Sequence, residues 1–295
     1  MKARFLIAGA LAALTLSTAA QAHRQWMLPS STVLSGDDSW VTVDAAVSND
    51  LFYFEHFPMS TDNVAVTRPD GSTGQIENAA KGRYRSTFDV HLTQPGTWRI
   101  ASVSTGVMGS YMLNGKRERL PRGTTKETLA TAIPAGATDV QTAEAANRNE
   151  IFVTLGAPTT NLFKPTGVGL EMVPVTHPND LVSGESATFQ FLLDGKPAST
   201  LKVTVIPGGI RYRDSLGQMD LTTGADGKLS VTWPQPGMYW LNASIGGGRE
   251  GGPGGGEGKG PGAAEGKGPP SPPQAPAGPP ERRASYVTTL EVLAP

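Results

Sequence analysis

The chain contains no cysteine in 295 residues. That excludes disulfide staples, thiolate nucleophiles and thiolate metal sites, and leaves stability to ordinary apolar cores. It also removes the cysteine that a lipoprotein anchor requires. Histidine is scarce: His23, His56, His91 and His177 are the whole supply. Charge is sparse and nearly balanced, with a formal net charge of −1. No basic surplus favours nucleic acid or an anionic membrane surface as a partner. Beyond Ala22 no apolar run approaches the length of a membrane-spanning helix, so the chain is not expected to span a membrane itself. A nucleophile elbow, a phosphate-binding loop, a zincin motif and a clustered carboxylate pair are all missing.

What is present begins with a segment built like a secretory signal. Lys2 and Arg4 give a positive start, residues 5–16 are apolar, and Ala20-Gln21-Ala22 is a small-x-small cleavage site. Residues 1–22 are therefore expected to be removed on export to the periplasm. Cleavage after Ala22 would make His23 the first residue of the mature protein. An N-terminal histidine can offer its α-amine and its ring Nδ1 to one ion in a single chelate. Imidazole nitrogen suits copper, nickel and zinc.

The rest reads as short alternating strands separated by Pro-Gly and Asp-Gly turns, the grammar of an all-β chain. Residues 39–45, 63–67, 82–92 and 97–103 alternate in the first half. Residues 185–193, 201–206, 219–223, 229–233 and 238–243 do so in the second. One phrase occurs in both halves: Gln94-Pro95-Gly96-Thr97-Trp98 and Gln235-Pro236-Gly237-Met238-Tyr239 each turn the chain into a strand. The expectation is two tandem immunoglobulin-like or transthyretin-like β-sandwich domains, 23–174 and 175–295. A long excursion at 115–149, with short helices expected, interrupts the first. Residues 246–280 are low-complexity Gly and Pro, a composition that predicts disorder. Residues 284–293 alternate again, so the Gly/Pro run is expected to be an insertion between the last two strands.

Three histidines are candidate metal ligands. His23 would chelate through the mature N-terminus. His56 follows Glu55 in an aromatic segment, Leu51-Phe52-Tyr53-Phe54-Glu55-His56-Phe57, where a neighbouring carboxylate can orient an imidazole. The alternative for His56 is a half-exposed loop residue over an aromatic cluster. His177 lies in Thr176-His177-Pro178-Asn179-Asp180, and its alternative role is to hold an interdomain turn through a backbone carbonyl. His91 alternates with Val90 and Leu92 and is expected to face solvent. Arg211-Tyr212-Arg213-Asp214 sets two cations beside an aromatic and could grip an anion or carboxylate; the alternative is a solvated face pairing Arg with Asp.

These residues carry a family resemblance. The signal ending before His23, the following Trp26-Met27-Leu28-Pro29, and the block Leu-Glu-Met-Val-Pro-Val-Thr-His-Pro-Asn-Asp at 170–180 are similar to the DUF4198 proteins. So are Leu193-Asp194-Gly195-Lys196-Pro197, Pro207-Gly208-Gly209 with Tyr212-Arg213-Asp214, and Gln235-Pro236-Gly237-Met238-Tyr239. The resemblance implies an exported bacterial protein, a periplasmic component of nickel or cobalt uptake serving a membrane uptake system. It implies a non-enzymatic role with a divalent ion, nickel or cobalt, held by His23, His177 and His56; copper and zinc fit the same donors. The competing expectation is an interaction module that binds protein or glycan without metal.

Overall fold

A computed structural model describes residues 23–246 and 282–295. The expected signal segment and nearly all of the Gly/Pro run lie outside the described residues. Strands account for 54% of the described residues and helix for 4%, so the fold is all-β. The first half contains β1 (Arg24–Pro29), β2 (Val33–Leu34), β3 (Ser39–Ser48), β4 (Phe57–Pro58), β5 (Val64–Thr67), β6 (Glu77–Lys81), β7 (Ser86–Leu92), β8 (Gly96–Leu113) and β9 (Lys116–Arg119). The helix α1 (Leu129–Ala132) and β10 (Thr138–Leu155) follow. The second half contains β11 (Leu170–Pro174), β12 (Ser186–Leu193), β13 (Lys196–Pro197), β14 (Lys202–Pro207), β15 (Met219–Thr222), β16 (Lys228–Thr232), β17 (Gly237–Ile245) and β18 (Arg283–Val292).

Three sheets form two face-to-face packings. One sheet runs β1-β3-β7-β6, with β4 also on β3. A nine-stranded sheet runs β15-β14-β17-β18-β10-β8-β5, and a small one runs β11-β12-β13 with β16 on β12. The first sheet packs on the β5-β8-β10 end of the large one around Val43, Phe88, Trp98, Ile100 and Val153. The small sheet packs on the β14-β17-β18 end around Phe189, Phe191, Trp233, Tyr239 and Tyr286. In β7 the physical cause is plain: Phe88, Val90 and Leu92 are buried while Thr87, Asp89 and His91 between them are only partly so. Tyr84, expected to continue this alternation, lies before the strand and is exposed.

The two packings share one sheet because β18 pairs in parallel with β10, from Ala145↔Arg283 to Glu150↔Thr288. A buried ionic cluster sits at this seam. Arg148 contacts Glu150 and Glu171, each at 3.3 Å, and the Tyr286 hydroxyl donates to Glu150 at 2.9 Å. Glu171 also accepts from the Thr166 hydroxyl and the Gly167 amide. A second seam joins β1 and β3 to the second half: Trp26, Ala46 and Leu51 pack with Ile206, Ile210, Trp240 and Val287. Successive residues of a strand face opposite ways, so β1 sends Trp26 into this seam and Met27 into the first core, both fully buried.

The repeated Gln-Pro-Gly phrase is one corner built twice. Gly96 and Gly237 both hold positive φ, 123° and 138°, as they open β8 and β17. Four residues after each Gln an aromatic donates back to its carbonyl, Trp98 Nε1 to Gln94 at 3.0 Å and the Tyr239 hydroxyl to Gln235 at 2.7 Å. The stretch expected as an excursion differs. Residues 138–149 are the first part of β10, which pairs with β8 along nearly its whole length. The helix is limited to one turn, Leu129–Ala132. The final strand falls where alternation placed it, with Ile245 paired to Ala284 across the two ends of the Gly/Pro run.

Candidate functional site

Strand register brings two of the candidate histidines together. β3 carries β1 on one edge, with Arg24 opposite Ser48, and β4 on the other, with Phe57 opposite Val47. His23 precedes β1 and His56 precedes β4, so both reach the same end of β3. Their rings stack with centroids 3.6 Å apart and planes inclined by 29°. Phe57 borders the pair, its ring 6.1 Å from His23 and 5.0 Å from His56. Partial loss of water, then repulsion from His56, lowers the His23 pKa below its ordinary value; Glu55 opposes this.

The loop carrying His56 is tightly held. Ser48 accepts from Trp26 Nε1 at 2.8 Å and donates to the Asp50 carbonyl at 2.6 Å. Glu55 Oε1 accepts from the amides of Asn49 and Asp50 at 2.8 and 2.7 Å. Arg24 donates to the Asn49 carbonyl at 2.6 Å. Phe52 adopts φ of 65°, an unusual conformation for an aromatic residue, and its ring presses on Gly208 of the second half. A Cβ at Gly208 would lie 2.9 Å from that ring and 3.1 Å from the Met238 carbonyl, so no larger residue fits without displacing the loop.

Arg211 closes the loop from the second half. Its Nε donates to Asp50 and its Nη2 to Glu55, both at 2.8 Å, while the guanidinium lies 4.2 Å over the Tyr53 ring. The carboxylates that the arginine-rich motif was expected to be able to grip are therefore this chain's own. Arg213 instead donates to the carbonyls of Pro207 and Leu216.

The other two histidines are engaged elsewhere. His177 lies toward the far end of β1. It contacts Thr97, whose hydroxyl also meets Thr154, and the Thr154 amide donates to the Thr32 carbonyl just past that strand. Its Nδ1 accepts from the Asn179 amide at 3.1 Å, so Nε2 carries the proton, toward the Thr97 hydroxyl at 2.9 Å and the Thr159 carbonyl at 3.2 Å. Burial lowers its pKa, against the opposing pull of the Thr159 carbonyl and Asp180. Both nitrogens are thus committed to holding the turn between the halves. His91 stacks on Trp40 at 4.2 Å and pairs with Asp38 at 2.8 Å on the outer sheet face. By contrast, neither ring nitrogen of His23 nor of His56 has a hydrogen-bond partner among the described residues.

The family model described as Domain of unknown function (DUF4198) matches residues 20–247. The chain belongs to the DUF4198 family. No curated protein matches it. Among solved structures, the D0-D1 domain of intimin is 15% identical, over 74% of this chain and 88% of that one, with a TM-score of 0.19. The Bacillus anthracis TIE protein is 12% identical, over 95% of this chain and 40% of that one, with a TM-score of 0.17. Likenesses this low bear on neither fold nor function. No helix among the described residues is long and apolar enough to cross a membrane.

The donor set suits a borderline divalent ion. Two nitrogens bonded at ~2.0 Å to one tetrahedral ion stand roughly 3.3 Å apart, so the stacked rings of His23 and His56 have to turn about their side-chain bonds for their in-plane lone pairs to meet on one ion. Among the described residues no group of three His, Asp or Glu side chains is poised for a metal. Glu55 is already bound on both oxygens. A free α-amine at residue 23 would add a third nitrogen at this end of β3.

Proposed function

We propose that this DUF4198 protein is an exported, non-enzymatic carrier of a divalent metal ion. Signal cleavage after Ala22 creates the site by freeing the His23 amine. The amine and the ring of His23 form the chelate, and the ring of His56 supplies the third nitrogen. The observation that carries this reading is the His23–His56 stack at 3.6 Å with its ring nitrogens unengaged. Nickel or cobalt is the proposed cargo, delivered in the periplasm to a membrane uptake system. Copper and zinc compete for the same nitrogens, with copper the tightest by intrinsic affinity, so cargo is set by availability and geometry. His177 is left out of the proposed ligand set because both its nitrogens hold the turn.

Nickel titration calorimetry on cleaved protein tests the ligand set. His56→Ala should weaken binding at least 10-fold, and His177→Ala should leave nickel affinity unchanged in protein that still folds. Wild-type affinity in His56→Ala would remove His56 from the site.

A further inference from the structure

We infer that Arg211 is the positioning residue for His56, so that the second half of the chain sets the geometry of a site whose nitrogens all come from the first. The inference deepens the proposed metal reading and rests on it for its binding readout. Arg211 belongs to a single 3-10 turn, Ile210–Tyr212, entered through Gly209 at φ of 72°. Ile210 anchors that turn in the seam beside Leu51. The guanidinium is thereby fixed against the loop, with one nitrogen on Asp50 and another on Glu55. Its planar fork suits this two-point grip, and its face covers Tyr53.

Exposed ion pairs contribute little to stability, and this arginine is partly exposed. Its effect is on placement. Glu55 is the residue before His56. Its Oε1 is bound by the loop's own amides, and its Oε2 only by Arg211 among the described residues. Without Arg211, Asp50 and Glu55 would lose the cation that bridges them, leaving Arg24 near Asp50 alone. Their repulsion would swing Glu55, and His56 with it, away from His23. Partners that orient a metal ligand typically change affinity 10–100-fold when lost.

Two readouts on cleaved protein test this. In metal-free protein, NMR of the imidazole protons reports the stack through the shielding each ring casts on the other. Nickel titration then reports affinity. Arg211→Ala should abolish the mutual shielding and weaken nickel binding about 10-fold or more. Arg211→Lys, which keeps the charge but loses the fork, should fall between. In a His56→Ala background, Arg211→Ala should cost no further affinity, because the arginine acts through that histidine. Thermal unfolding of each variant identifies any loss due to misfolding, and the Lys variant carries the test if the Ala variant does not fold. Unchanged shielding in Arg211→Ala, or an equal affinity loss with His56 absent, would overturn the inference. A wild-type protein that binds no nickel would defeat the carrier reading, and the shielding measurement would still decide the role of Arg211.

Discussion

Replacing Arg148 with methionine should expose how the two halves are joined. The arginine lies at the β10–β18 seam between Glu150 and Glu171, whose side chains are 4% and 6% exposed. Methionine keeps much of the volume and removes the charge, leaving two buried carboxylates without their shared cation. Breaking a buried pair in this way costs about 3–5 kcal/mol. The lower end is expected here, because Glu171 keeps its bonds from Thr166 and Gly167 and Glu150 keeps that from Tyr286. With a urea m-value of about 3 kcal/mol/M for a chain this size, the midpoint should fall by about 1 M. The loss should appear in one transition, since the strands on either side belong to one sheet. Adding Glu150→Gln should restore part of it by removing one orphaned charge. A single-variant loss below about 1 kcal/mol, typical of an exposed pair, would refute the burial argument. So would a transition that splits into two.

Gly208→Ala should destabilise by about 1–3 kcal/mol through overpacking against Phe52, measured by thermal unfolding; an unchanged melting temperature would show that the loop yields freely. The folded-state pKa of His177 is lowered from 6.5, so the unfolded chain binds more protons below that value. Stability from this residue is complete above about pH 6.5 and declines as pH falls through and below it. The advantage of wild type over His177→Gln should therefore shrink between pH 7.5 and 5; a constant difference would contradict this. Replacing residues 247–281 with a short Gly-Asn turn should preserve cooperative unfolding, because Ile245 and Ala284 are already paired neighbours. Loss of the transition would show that the run contributes to the fold.

Sequence legibility followed the chemistry of burial. β7 and the two Gln-Pro-Gly corners were readable because large apolar residues alternate there and glycine marks the turns. The early part of β10 was not. Its buried positions are Ala143, Ala145 and Ala146, then Arg148, Asn149 and Glu150, whose burial depends on partners far along the chain. At the site, His23 and His56 could each be singled out from its neighbours, but their meeting depends on the register of β1 and β4 against β3. The arginine motif pointed to carboxylate recognition, yet Asp50 and Glu55 lie 161 and 156 residues before Arg211. His177 could be read from the sequence as a ligand near Asp180 or as the anchor of the interdomain turn, and the hydrogen bonds to both its nitrogens favour the anchor.

The central claim is that cleavage creates the metal site, and it is tested most directly by changing only the N-terminus. Nickel and cobalt affinities should be measured for protein beginning at His23, the same protein acetylated on its amine, and protein carrying extra residues before His23. Ligand nitrogens must be unprotonated, so binding to the free N-terminus should also weaken as pH falls through the histidine range. The account predicts tight binding only where the His23 amine is free, with a loss of at least 10-fold in both blocked forms. Equal affinities in all three would contradict it and remove the mature N-terminus from the site.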